Sequence, residues 1–151
     1  MMRTVLAMIA VAVGITAVMA QGDPIAQRKA LMKSNGQNSG ALNRMVKGED
    51  PFDAAKATAA YDKIAEAASK VGPLFASPPP AGADTRALPK IWETKADFDA
   101  KLAAFGKAVA DNKGKAKTLD ELKASFPAVS KTCGDCHESY RRPAPAGGKK
   151  K

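Results

Sequence analysis

Residues 118–142 read TLDELKASFPAVSKTCGDCHESYRR, and their spacing decides the fold. Leu119, Leu122, Phe126, Val129, Cys133, Cys136 and Tyr140 recur at steps of three and four, the period of one helical face. Thr118 followed by Glu121 is a capping-box start, so a helix is expected from Thr118 to near Arg142. Pro127 falls inside that span and should kink it. Both cysteines lie on the apolar stripe, where core side chains point. Such a stripe is the seam of an antiparallel helical bundle packed near +20°.

The same period extends outward from this segment. Asp23-Pro24 starts a first helix, with Asp as N-cap and Pro at the first helical position, that runs to about Lys47 and stops at Gly48. Asp50-Pro51 repeats the signal for a second helix, which ends at Gly72-Pro73. Leu74 to Leu88 is proline-rich and loop-like. Pro89 opens a third helix reaching about Asn112, striped by Ile91, Lys95, Phe98, Leu102, Phe105 and Val109. No stretch alternates in the manner of a strand. The expected architecture is an all-α, up-down-up-down four-helix bundle over residues 21–142.

The ends are set apart. Residues 1–20 carry Arg3, an apolar run from Val5 to Val18 and a small-residue site at Val18-Met19-Ala20, the pattern of an export signal cleaved after Ala20. The run is short for a membrane span, so no stable membrane insertion is expected after cleavage. Residues 143–151 read as a flexible basic tail ending in three lysines. The chain has 24 Lys and Arg against 15 Asp and Glu, net +9, and about +8 once Arg3 leaves with the signal segment. An exported chain without basic–aromatic interleaving is not a nucleic-acid binder. A basic surface suits acidic protein partners instead.

Cys133-Gly-Asp-Cys136-His137 gathers both cysteines and the only histidine of the 151 residues into five positions. This is the attachment signature of covalent haem c. Cysteines three apart share a helix face, so both sulfurs reach one porphyrin edge, and the adjacent imidazole is left for the iron. Zinc would lack a fourth ligand. A thioredoxin-like pair would need a strand-to-helix context that is missing. A Cys133–Cys136 disulfide would leave His137 a coincidence.

The first-helix stripe is Ile25, Arg28, Met32, Asn35, Ser39, Leu42 and Val46, polar or soft at its middle, which calls for a polar partner inside the bundle. Met32 lies ~12 Å from that helix's start and His137 ~7 Å from the fourth helix's end, levels that meet when the two helices are antiparallel. Met32 is therefore either an axial ligand or core filler beside the ring. Met45 lies ~20 Å further along and rotated away, hence core.

These residues resemble the class II c-type cytochromes, the cytochrome c′ family, over Gln21 to Arg142. CHESYR (136–141) is similar to the family's Cys-His, two residues, aromatic, Arg motif. RKALM (28–32) is similar to its first-helix segment, with an Arg four residues before the distal position. LPKIWETKADFDAKLAAFGKAV (88–109) and KGKAKTLDELK (113–123) look closest to the low-spin cytochrome c-556 type.

The resemblance implies one haem c held through Cys133 and Cys136, His137 as proximal ligand, and Met32 as distal ligand. It also implies Arg28 near a propionate and Arg141 near the proximal side. Trp92 and Phe98 are expected to be core. The expectation is a periplasmic, non-enzymatic electron carrier serving redox partner proteins, as monomer or homodimer. The alternative within the family is a five-coordinate cytochrome c′ that binds nitric oxide or carbon monoxide.

Overall fold

The structure is a computed structural model that describes residues 22–144. Residues 1–21, which include the expected export signal, and residues 145–151 of the expected tail lie outside that range. The helices are α1 (Pro24–Lys47), α2 (Ala54–Val71), a short α3 (Lys90–Glu93), α4 (Lys95–Asn112) and α5 (Leu119–Tyr140), with a 3₁₀ turn at Gly72–Phe75. α1 packs on α2, α2 on α4, α4 on α5 and α5 back on α1, which closes the expected four-helix bundle. Among the described residues no helix is long and apolar enough to cross a membrane.

Local chemistry sets most boundaries. Asp23 accepts hydrogen bonds from the Ile25 and Ala26 amides at 3.0 and 3.3 Å, with Pro24 at the first helical position. Gly48 ends α1 in the left-handed region at φ 75°, its amide turned back to Arg44 and Met45 carbonyls. Thr118 caps α5 by accepting from the Glu121 amide at 3.2 Å, and Glu121 in turn accepts from the Lys117 amide at 2.8 Å. α5 continues through Pro127, whose ring is exposed.

Two boundaries differ from expectation. α2 is capped by Asp53, which accepts from the Lys56 amide at 2.9 Å, and not by Asp50. Asp50 is taken instead by Arg44 Nε at 2.7 Å. The third helix is divided at Thr94, whose backbone leaves the helical region at φ −124°, ψ 49°.

The main core fills one end of the bundle. Leu42, Met45, Tyr61, Ile64, Val109 and Leu122 are all buried there. Alanines 57, 60 and 67 on the inner face of α2 let its neighbours approach closely. Tyr61 places its hydroxyl 3.2 Å from Ser125 Oγ, which donates to the Lys115 carbonyl at 2.8 Å, so these two buried hydroxyls are satisfied. A smaller cluster of Ile91, Phe98 and Tyr140 occupies the opposite end, with Trp92 and Phe75 against it. Lys95 escapes the third-helix stripe by pairing with Asp99 and laying its ammonium 5.8 Å from the Phe98 ring centre.

Candidate functional site

Between α1 and α5, at the end away from the main core, the helices stand apart. Two adjoining cavities of about 270 and 230 Å³ open there, sharing Met32, Val71, Leu102, Cys136, His137 and Arg141 as walls. Together they form one slot within the range of small-molecule and cofactor sites. Cys133 borders one lobe; Arg28 and Tyr140 border the other. The six residues singled out from the sequence, which lie between positions 28 and 141, thus converge on one slot because α1 and α5 run side by side.

The α5 stripe explains the thiols. Leu122, Phe126 and Val129 are buried, and one turn later the same face reaches the slot, so Cys133 and Cys136 become half-buried free thiols. Burial pushes both thiols above their ordinary value; for Cys136, Lys101 opposes the rise and Cys133 and Asp97 add to it. Protonated thiols of this kind are poor redox nucleophiles. His137 is half-buried and held below its ordinary value, by burial first and then by Arg141 and Arg86. The neutral imidazole so favoured is the form that binds metal.

Arg28 is only 6% exposed. Its Nε donates to the Leu74 carbonyl at 2.8 Å, and its guanidinium lies 4.4 Å from the Phe75 ring centre and 5.9 Å from that of Trp92. Burial lowers its pKa, with Asp23 pulling the other way. Nη1 is buried without a partner, and so is Asn35 Oδ1 further along the same helix. Orphaned polar atoms at an apolar slot are what an absent polar guest would leave.

Arg141 is exposed at the rim. Its amide donates to the His137 carbonyl at 3.1 Å, and it bridges to Ala87 across the segment that walls this end of the slot. Sequence reasoning missed that segment, Thr85–Ala87, and missed Phe75. Both lie in the proline-rich connection, where no periodicity exists to reveal a wall. Trp92, expected as core, is half-buried against the smaller cluster and donates its indole N–H to the Phe75 carbonyl at 3.0 Å.

A helical bundle with a slot of this size and Cys-x-x-Cys-His at its edge defines a class: a c-type haem protein built on four helices. Residues 23–141 match the family model described as Cytochrome C'. Cytochrome c-556 of Rhodopseudomonas palustris is 40% identical over 145 residues, covering 93% of this chain and 97% of the relative. Cytochrome c′ of the same organism superposes with a TM-score of 0.73 at 39% identity, covering 82% of this chain and 98% of that one. An NMR-validated structural model of oxidised R. palustris cytochrome c556 gives 0.71 at 38% identity, covering 81% and 98%. The chain belongs to the cytochrome c′ family of monohaem cytochromes, near the c-556 type, whose cofactor is covalent haem c.

Proposed function

We propose that the protein is a periplasmic carrier of single electrons whose haem c is joined through Cys133 and Cys136 and ligated by His137 and Met32. One observation supports this most directly. Met32 on α1 and His137 on α5 line both lobes of one slot, so a thioether and a neutral imidazole face the same space from opposing helices. The haem supplies a one-electron ferric/ferrous couple, and His/Met ligation raises its potential.

The chain's own residues do the rest. The two thiol sulfurs tie down one edge of the cofactor. Val71, Leu102 and Phe98 give the slot apolar walls. Arg28 Nη1 offers a charge-assisted bond to an anionic carboxylate, such as a propionate. Arg141 stands on the proximal side. Export in residues 1–20 and redox partners with acidic surfaces complete the reading.

The absorption spectrum decides ligation. The wild-type protein is expected to be six-coordinate and low-spin in both oxidation states, with a sulfur-to-iron charge-transfer band. Met32→Ala is expected to turn it high-spin and able to bind carbon monoxide. A wild-type spectrum that is already high-spin selects the gas-binding alternative.

A further inference from the structure

Two helices of this chain open with the same kind of signal. α5 starts at Thr118-Leu-Asp-Glu121 and α4 at Thr94-Lys-Ala-Asp97, each a threonine with a carboxylate three residues on. Thr118 and Glu121 cap their own helix, as their bonds to the Glu121 and Lys117 amides show. Thr94 and Asp97 do not. Thr94 stands at the N-cap of α4 but makes no side-chain cap bond.

Both side chains reach Tyr140, and Thr94 Oγ1 also lies 2.9 Å from the Lys90 carbonyl. Its hydroxyl donates to Asp97 Oδ2 at 2.5 Å and lies 2.9 Å from Thr94 Oγ1. Tyr140 is 2% exposed, its ring meets Phe98 edge-on with centres 5.2 Å apart, and its carbonyl accepts from the Leu88 amide at 3.0 Å. A helix that forgoes its own cap gives up local stability. A local rule broken in favour of a residue 43 positions away marks a place where the fold serves something other than that helix.

What Tyr140 serves is read from its place on α5. It follows His137 by three residues, on the same face, and both line the same lobe of the slot. This is the last turn of α5, where a helix end is free to fray unless tied.

We propose that Thr94, Asp97 and Tyr140 form a latch that holds the terminal turn of α5 and thereby orients the His137 imidazole. Tyr140 is then a positioning residue. The proposal rests on the reading of His137 as iron ligand.

The test uses the full-length holoprotein and two variants. Tyr140→Phe keeps the ring and removes only the hydroxyl; Thr94→Val is nearly isosteric and removes the second partner. Hydrogen exchange of the 137–141 amides is expected to quicken at least about fivefold in Tyr140→Phe, from the opening of a tied helix end. The ferric electron-paramagnetic g values and the reduction potential are expected to shift with it. Thermal stability of Tyr140→Phe should change little, since the cost of the lost hydroxyl bonds is partly returned when Thr94 and Asp97 regain the chance to cap α4. Thr94→Val should give the same changes in exchange, g values and potential at smaller amplitude. Unchanged exchange in both variants overturns the latch. Faster exchange with unaltered g values and potential overturns its positioning role. A wild-type spectrum lacking imidazole ligation removes the His137 reading instead, while exchange still decides whether the latch exists.

Discussion

Arg28 is a cation whose surroundings would normally exclude one. It is held by a carbonyl, two aromatic faces and, in our reading, a carboxylate of the cofactor. Arg28→Lys keeps the charge but loses the planar fork that reaches Leu74 while stacking on Phe75. The Leu74 carbonyl would lose its partner, so a loss of about 1–3 kcal/mol in unfolding free energy is expected, measured by chemical denaturation of the holoprotein. An unchanged midpoint would show that neither the Nε bond nor the stacking contributes to stability. At this scale the sequence was readable in part. A polar residue on a core stripe announced that Arg28 needed a partner. Phe75 and Trp92 did not announce themselves, because their meeting with Arg28 depends on how a proline-rich connection folds back across the bundle. The thiols and the imidazole were plain, since their meaning resides in adjacent positions of one helix.

At the scale of helices, legibility followed locality. Asp23-Pro24 and Asp50-Pro51 look alike on paper, yet only the first caps a helix. Asp50 is held by Arg44 from the preceding helix, and the cap passes to Asp53. The division at Thr94 was hidden for the same reason, its hydroxyl being shared between the Lys90 carbonyl and a tyrosine on α5. Gly48 shows the opposite case, a local requirement met by a local residue. Its positive φ of 75° is unfavourable for any side chain, although a β-carbon there would touch nothing. Gly48→Ala is expected to cost about 1 kcal/mol through backbone strain alone, read as a lowered thermal midpoint without change in the visible spectrum. A shifted spectrum would mean that the α1–α2 turn communicates with the slot.

Across the whole molecule, the excess of lysine and arginine gives a long-range field that contacts cannot supply. If transfer runs to acidic partners, second-order rate constants measured by stopped-flow should fall about tenfold or more as ionic strength rises from ~0.01 to ~0.2 M. A flat dependence would remove electrostatic steering from the account. Global architecture was the most legible level of all, because stripes with a 3.6-residue period and short connections leave few arrangements besides a bundle. The division of labour between its two ends was not legible, since a stripe records which residues turn inward but not how tightly opposing helices meet. The larger apolar cluster ties the far halves of all four long helices, while the haem-facing half relies on a few aromatics and a gap. Such a chain resembles a clothes-peg. Its spring is the larger apolar cluster, which holds the four long helices in register, and its jaws are the walls that α1 and α5 present to the cofactor, so packing and grip are assigned to different ends of the same helices.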